Sequence, residues 1–402
     1  MRLTQLLRVH LRLQAHRVAR VRQRRGGRLE VHVRRIGRRW LRCGRCGRKG
    51  PVRDQGDERR WRDVPLLGHP LVIVYAPSRV TCPKCGVKRE RVPWAIPRAR
   101  VTRPLARAVA RLTRKLSWTD VAQEFGLDWK TVVKVVRWAV AWGFQRRRLK
   151  PVRVLGVDEV SRRKGQKYFS LFYDLKREVL LWIGEDRTEA TTTAFFDWFG
   201  RRARSLRAVC LDMWAPYVSV IRERAAKAVL VFDRFHLIKH LNEAVDEVRR
   251  AMVRELKGDA RSAMKGTRYL WLTNPWNLRP EAQGRLRELV RQHLPITKAY
   301  LLKESFRRFW SYRERGWAQR FLRSWFWMAT HSRLTPMRDF AWLVRRHEEG
   351  LLAWIDLRIS NGTVEGMNNK IKLVAKRAYG FRTSSHFKLA IYHCCANLPL
   401  PT

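Results

Sequence analysis

Acidic residues are scarce in this chain of 402 residues: 34 aspartates and glutamates stand against 87 lysines and arginines, a formal net charge of +53 at pH 7. Folding does not need such an excess, because repulsion among like charges opposes the compact state. A polyanion that neutralises the surface is therefore the expected partner, and DNA and RNA are the commonest polyanions. The basic residues are spread over the whole length, which does not favour a membrane-surface helix.

Long hydrophobic runs are also missing. The longest strand-like apolar runs, such as Leu71–Ala76, are far shorter than a membrane span. Arg8, His10 and Arg12 interrupt the first residues, which therefore lack the apolar segment of a signal peptide. We expect a cytoplasmic, nucleoid-associated protein that contacts no membrane and keeps its thiols reduced. The 18 tryptophans and 16 phenylalanines, in contrast, predict a folded chain with a large aromatic core.

Cysteine is infrequent, with seven residues, but four of them form two Cys-x-x-Cys pairs. These four are Cys43, Cys46, Cys82 and Cys85. A glycine follows each pair, and such a knuckle turns both sulfurs toward one point, so that four thiolates can satisfy tetrahedral Zn²⁺. A redox pair is the alternative, but it would favour a single pair in a thioredoxin-like setting. The pattern predicts one structural zinc, and it leaves three cysteines as expected buried thiols: Cys210, Cys394 and Cys395.

Residues 102–145 show the periodicity of three helices. Ser117 opens the second helix, which ends near Gly126, and Asp128 can cap the third. Helix, glycine turn and helix is the layout of a helix-turn-helix, although an ordinary three-helix bundle is the alternative. The residues placed to meet a DNA groove are Lys130, Thr131 and Lys134. The basic run 146–150 is expected to be a linker that can lie along phosphates.

From Val152 onward the pattern becomes three strands followed by strands that alternate with helices. The first of them, Val152–Val160, is apolar up to Asp158, which suits a strand covered on both faces of an α/β sheet. Two later apolar strands end in Asp212 and Asp233. This order is that of a ribonuclease H-like fold, in which the first and fourth strands are neighbours. Asp158 and Asp212 should therefore converge at the sheet edge, where sites in α/β folds collect.

A long tryptophan-rich helical stretch, 243–358, separates these strands from a last basic helix. In that helix, four polar residues share a face beside the apolar stripe: Glu365, Asn369, Lys372 and Lys376. A glutamate followed by amides and lysines on its own face can hold a metal beside a phosphate. A capping glutamate with a solvated basic face is the alternative.

Four segments together resemble the DDE transposases of bacterial insertion sequences, specifically the ISL3 group. They are GVDE at 156–159, LDMW at 211–214, DRFH at 233–236, and NGTVEGMNNKIK through YGFR at 361–382. The resemblance covers almost the whole chain and implies a multidomain α+β protein. Its parts would be a zinc ribbon, a helix-turn-helix and a ribonuclease H-like α/β catalytic domain with an α-helical insertion.

The resemblance also implies the residues of the active site. The catalytic triad would be Asp158, Asp212 and Glu365, which would hold two Mg²⁺ or Mn²⁺ ions. Asp233 and His236 would support that site, and Arg382 would contact DNA. The implied reaction is cleavage at the terminal inverted repeats of an insertion sequence and transfer of the freed end into target DNA. Both DNA partners are double-stranded, and a homo-oligomer assembled on DNA is expected.

The sequence predicts five segments. Residues 1–100 form the N-terminal region with the zinc ribbon, and 101–150 form the helix-turn-helix and linker. The catalytic domain has two parts, 151–242 and 359–402, and the insertion between them is 243–358.

Two alternative functions remain. A DNA-binding regulator derived from a transposase would not explain carboxylates at the ends of buried strands. A ribonuclease H-like nuclease fits the triad but usually lacks both the ribbon and the insertion.

Overall fold

A computed structural model describes residues 7, 11, 13, 15–37, 40–163, 167–292, 294–359 and 362–401. By the contacts between residues, the chain divides into two units. One contains Met1–Leu149 together with Asn369–Thr402, and the other contains Lys150–Asn368. Within the described ranges, no helix is both long and apolar enough to cross a membrane.

Two four-stranded sheets form the N-terminal part of the first unit. Their strands are β1 (His16–Gln23), β2 (Leu29–Arg35), β3 (Trp40–Arg42), β4 (Lys49–Gln55), β5 (Arg59–Leu66), β6 (His69–Tyr75), β7 (Ser78–Cys82) and β8 (Gly86–Arg89). One sheet has the order β1-β2-β6-β5, and the other has the order β3-β4-β7-β8. The second sheet carries both cysteine pairs and is the zinc ribbon. The two strands that separate the pairs in sequence, β5 and β6, belong to the first sheet.

Three helices follow the sheets: α1 (Arg103–Leu112), α2 (Trp118–Glu124) and α3 (Trp129–Arg146). The Ser117 hydroxyl accepts from the backbone N–H of Asp120 at 3.1 Å, and the Asp120 carboxylate accepts from the N–H of Ser117 at 3.3 Å. Such a cap typically stabilises a helix by about 1 kcal/mol. Gly126 turns the chain between α2 and α3 with a φ of +54°, a conformation that favours glycine. The predicted helix-turn-helix is confirmed.

A five-stranded sheet belongs to the second unit. Its strands are β9 (Val154–Arg163), β10 (Lys167–Asp174), β11 (Val179–Glu185), β12 (Ala208–Leu211) and β13 (Val229–Phe232), in the order β11-β10-β9-β12-β13. The first three strands pair antiparallel, and β12 runs parallel to both β9 and β13. Helix α4 (Glu189–Phe199) precedes β12, and helix α5 (Ala215–Arg224) connects β12 to β13. This is the predicted ribonuclease H-like order.

A long helical segment follows β13, and its first helix begins at Arg234, before residue 243, where the sequence predicts the insertion to start. Its helices are α6 (Arg234–Glu255), α7 (Gly258–Met264), α8 (Arg268–Leu272), α9 (Pro280–Arg291), α10 (Pro295–Arg307), α11 (Arg315–Thr330), α12 (Thr335–Arg346) and α13 (Glu348–Leu357). The core of the segment is aromatic: the rings of Phe306 and Trp325 lie 4.7 Å apart. Helix α13 packs against the edge strand β13, where a Cβ on Gly350 would overlap the ring of Phe232. Glycine thus permits the contact that shields this edge.

The last two helices of the described chain are α14 (Gly362–Arg377) and α15 (Ser384–Cys395). Helix α15 packs against α3, with the rings of Phe144 and Tyr392 5.0 Å apart. His393 Nε2 also forms a hydrogen bond of 3.0 Å with the hydroxyl of Thr113. These contacts join residues 369–402 to residues 1–149, whereas the sequence predicts that 359–402 belong to the catalytic domain. The domain limits drawn from the sequence stay a prediction.

Candidate active site and zinc centre

Three aspartates lie in one row where the parallel pairing of β9, β12 and β13 ends. Asp158 lies in the middle of β9, which continues to Arg163, and not at the strand end that the sequence predicts, because β9 goes on pairing with β10 beyond it. Strand β12 pairs with β9 so that Cys210 is opposite Gly156, and β13 pairs with β12 so that Phe232 is opposite Leu211. Extended by two residues, the first register places Asp212 opposite Asp158. Extended by one residue, the second places Asp212 opposite Asp233. The topology therefore places the two predicted ligands, Asp158 and Asp212, side by side, and it places Asp233 next to them.

Asp158 is held from two sides. Its Oδ1 accepts from the backbone N–H of Glu159 at 2.7 Å, and its Oδ2 accepts from the side-chain amide of Asn368 at 2.7 Å. The amide oxygen of Asn368 in turn accepts from the hydroxyl of Tyr173 at 2.9 Å. Burial raises the pKa of Asp158 to about 6, and the charges of Asp233 and Glu159 act in the same direction. A carboxylate in such surroundings is stabilised in its charged form by a cation beside it.

His236 brings a positive charge to this row. Its Nδ1 lies 2.8 Å from Oδ2 of Asp233, whose Oδ1 accepts from the N–H of Phe235 at 3.1 Å and so caps α6. Burial opposes the charged imidazole, but the bond to Asp233 and the charges of Asp212 and Asp158 raise the pKa of His236 to about 9. All three carboxylates of the row therefore act on one imidazole. Both oxygens of Asp233 are engaged, one by His236 and one by the helix cap.

A second polar network surrounds Glu159, which alternates with Asp158 and points to the other face of β9. The Tyr217 hydroxyl donates to Oε1 of Glu159 at 2.9 Å, and Nη1 of Arg187 donates to Oε2 at 3.4 Å. The Arg187 guanidinium lies 4.5 Å from the ring centre of Trp214, whose Nε1 donates to the Arg187 carbonyl at 3.1 Å. Because Trp214 comes two residues after Asp212, this network ties the loop that carries Asp212 to β9.

Glu365 lies in the first turn of α14, and its side chain is exposed. The same turn approaches β9, since a Cβ on Gly156 would lie 3.1 Å from Val364. Residues three apart are neighbours on a helix surface, so Glu365 is one turn from Asn368, the residue that contacts Asp158. The three predicted triad carboxylates do not all lie within 4.8 Å of one another; among the described residues, only the cysteine cluster meets that spacing.

Four residues of these networks have no role predicted from the sequence: Glu159, Arg187, Tyr217 and Asn368. A signal existed for Asn368, because it follows Glu365 at helical spacing and precedes Asn369, which was assigned. Glu159 is a buried-strand carboxylate on the face opposite Asp158, which is a second signal that could have been used. For Arg187 and Tyr217 the sequence offers none, since their contacts depend on how the elements pack.

The residues predicted to contact DNA lie on α3, on α14 and just after α14. The exposed ones are Lys130, Lys134, Asn369, Lys372, Lys376 and Arg382, and Thr131 is half-buried. The exposed side chains on α3 follow the turn at Gly126, as a recognition helix requires. Their role in DNA binding stays a prediction.

The four predicted zinc ligands form one cluster. Their sulfur atoms all lie within 4.8 Å of one another, and those of Cys46 and Cys82 are 3.4 Å apart. The backbone N–H of Arg45 donates to Sγ of Cys43 at 3.4 Å, and a hydrogen bond from the backbone of Arg48 lowers the pKa of Cys46. Four thiolates at this spacing fit tetrahedral Zn²⁺ and leave no open position, as in structural sites. Of the other cysteines, Cys210 and Cys395 are buried as predicted, and Cys394 is half-buried.

Three domains of known transposases match this chain in the order seen in the fold. The zinc finger of transposases IS204/IS1001/IS1096/IS1165 matches residues 41–85, and the helix-turn-helix domain of transposase family ISL3 matches residues 90–137. The ISL3 transposase domain itself matches residues 155–391. A zinc ribbon, a helix-turn-helix and a ribonuclease H-like transposase domain define a class of enzymes that cut and transfer DNA.

Curated relatives agree with this class over most of their length. The transposase of insertion sequence element IS1001 from Bordetella parapertussis is 31% identical over 354 residues, which cover 87% of either chain. The transposase of IS1557 from Mycobacterium tuberculosis is 29% identical over 371 residues, covering 85% of this chain and 83% of that one. The solved Drosophila P element transposase strand transfer complex is similar at a TM-score of 0.37 and 12% identity, over 73% of this chain and 91% of that one. The present chain belongs to the ISL3 family of insertion-sequence transposases.

Proposed function

We propose that this transposase cleaves DNA at the terminal inverted repeats of its insertion sequence and joins the freed 3′ end to target DNA, with Asp158, Asp212 and Glu365 as metal ligands. The row of aspartates where the parallel pairing of β9, β12 and β13 ends carries the proposal. Hard carboxylate oxygens are the ligands that Mg²⁺ and Mn²⁺ prefer, so the donor set fits these ions. Two such ions would polarise the phosphate and lower the pKa of the attacking water.

Glu365 is a better third ligand than Asp233. Oδ2 of Asp233 already pairs with the imidazole of His236, whose pKa is raised to about 9, so that a cation is present at this carboxylate without a metal ion. Glu365 has no hydrogen-bond or ion-pair partner among the described residues, and it is one helical turn from Asn368. We therefore assign Asp233 and His236 a supporting role: the pair holds the start of α6 next to the strand ends.

Double-stranded DNA is the proposed partner, both as element end and as target, and a homo-oligomer is proposed to assemble on it. The exposed lysines of α3 would meet the bases or phosphates of the repeat. Those of α14 would hold phosphates near the catalytic residue on their own helix. A chain with a formal net charge of +53 gains compactness when such a polyanion neutralises it.

The proposed reaction can be tested with the full chain and a DNA duplex that carries the terminal inverted repeat flanking its gene. We expect cleavage that requires Mg²⁺ or Mn²⁺, leaves a 3′-hydroxyl at the element end and is followed by joining to a second duplex. Binding without cleavage would support the DNA-binding regulator instead. Cleavage that ignores the end sequence would support a nuclease.

Replacing Asn368 by alanine should lower the rate of cleavage by about 10- to 100-fold, the usual effect of losing a group that orients a metal ligand. The reason is that Asn368 donates the 2.7 Å hydrogen bond to Oδ2 of Asp158. Because only the orientation of Asp158 is lost, raising the Mg²⁺ concentration should restore much of the rate. Titration of cleavage against Mg²⁺ measures this. An unchanged Mg²⁺ requirement would contradict a role of Asn368 in orienting Asp158.

Removing the charges of Lys372 and Lys376 together should weaken DNA binding and flatten its salt dependence by about one unit of slope for each phosphate that the protein no longer neutralises. A matched control removes two exposed lysines of the insertion, Lys265 and Lys298. Binding isotherms at several NaCl concentrations measure both slopes. Equal slopes for the two double-alanine variants would indicate that the lysines of α14 form an ordinary solvated face and do not contact DNA.

A further inference from the structure

A concave groove in the first unit is lined by basic side chains from both N-terminal sheets, from the segment after β8 and from α1. The groove has a volume of about 840 Å³, and its lining contains six basic residues and no acidic one. The six are Arg35, Arg42, Lys49, Arg91, Arg103 and Arg107. We call this feature the ribbon groove. It lies outside α3, on which the predicted helix-turn-helix contacts are found.

Most of the charge in the ribbon groove is not neutralised by the protein. Arg35 pairs with the buried carboxylate of Glu90. For Lys49, Arg91, Arg103 and Arg107, by contrast, the described residues supply no acidic partner. Burial lowers the pKa of Arg103, and the nearby charges of Arg91 and Arg107 act in the same direction. Nε of Arg103 and Nε of Arg107 are also buried without a hydrogen-bond partner.

A second basic groove adjoins the first. Its volume is about 1,020 Å³, and Arg91 lines both grooves. Arg59, Arg98 and Arg100 are among its further basic residues. One small anion would be satisfied by a single cluster of cations. Two basic grooves that meet at one residue suit an extended polyanion, such as a DNA strand with one charge per about 3.4 Å of helix axis.

We infer that the ribbon groove binds the phosphate backbone of double-stranded DNA and thereby adds a second contact surface to that of α3. This inference deepens the proposed function, since it rests on DNA as the partner. Phosphate contacts position a protein on a duplex and carry no direct sequence information, whereas base contacts specify the site. The ribbon groove therefore supplies affinity for any duplex, and α3 supplies preference for the repeat.

The test removes one charge from each wall of the groove in the full chain, by Lys49→Ala with Arg107→Ala. The matched control, Arg111→Ala with Lys115→Ala, removes two exposed charges at and beyond the end of α1. Binding to the repeat duplex and to a random-sequence duplex is measured at several NaCl concentrations without added Mg²⁺. For the groove variant we expect both salt slopes to fall by about two units and the ratio of the two affinities to stay the same. Zinc content and melting temperature should equal those of wild type.

Three results would overturn the inference. The groove variant could keep the wild-type slope, or the control could lose as much slope as the groove variant. Single-stranded RNA could also bind more tightly than the duplex and account for the same loss, which would make RNA the occupant. A chain that binds duplex through the groove but never cuts it would contradict the proposed chemistry and leave this inference standing.

Discussion

Replacing Asp158 or Asp212 by asparagine is expected to lower the rate of element-end cleavage by about 1,000-fold or more, while binding of the repeat stays close to wild type. The amide keeps the size of the side chain and much of its hydrogen bonding but removes the charge that would hold a metal ion. Each aspartate also accepts a backbone N–H at 2.7 Å, which an amide oxygen can still accept. The variants should therefore fold, and gel assays of cleavage and of binding on the same preparations measure the result.

The two aspartates should behave as one unit. If each is needed for the same metal site, the double variant Asp158→Asn/Asp212→Asn should be scarcely slower than either single variant. If the loss of rate in the double variant equals the product of the losses in the two single variants, the two aspartates contribute independently to cleavage. A single variant that keeps a tenth or more of the wild-type rate would contradict a shared site.

Cys43→Ser and Cys82→Ser should each lose zinc, destabilise the ribbon and weaken binding to the element's ends. The effect is expected to be large because a closed four-thiolate site contributes its metal-binding free energy to folding. Cys394→Ser is the matched control, since Cys394 is a half-buried thiol outside the cluster. Metal analysis and a binding assay measure the outcome. A wild-type chain with much less than about one zinc per molecule would contradict the site.

The parts of the fold that follow general rules could be predicted from the sequence. Two Cys-x-x-Cys pairs predict a four-cysteine cluster, because few other arrangements use them. Asp158 and Asp212 could be paired from the order of the elements, because three hairpin strands followed by strand, helix and strand leave few possible strand orders. The register then brings Asp233, to which the resemblance gives a supporting role, level with these two residues.

Contacts between distant elements could not be predicted in the same way. The hydrogen bond from Asn368 to Asp158 joins residues 210 positions apart, and the hydrogen bond between Thr113 and His393 joins residues 280 positions apart. The apolar stripe of a helix shows that it packs against something but does not identify the partner. For the same reason the sequence did not reveal that α15 packs against α3.

The central claim is that Glu365 completes the metal site begun by Asp158 and Asp212. The most direct measurement compares Glu365→Gln with Asp233→Asn in the Mg²⁺-dependent cleavage assay. A control, Glu247→Gln, removes an exposed carboxylate about 20 Å along α6 from its start. We predict that Glu365→Gln loses cleavage as completely as Asp158→Asn, that Asp233→Asn keeps more activity, and that Glu247→Gln matches wild type. Near wild-type cleavage by Glu365→Gln, together with its loss in Asp233→Asn, would contradict the claim and make Asp233 the third ligand.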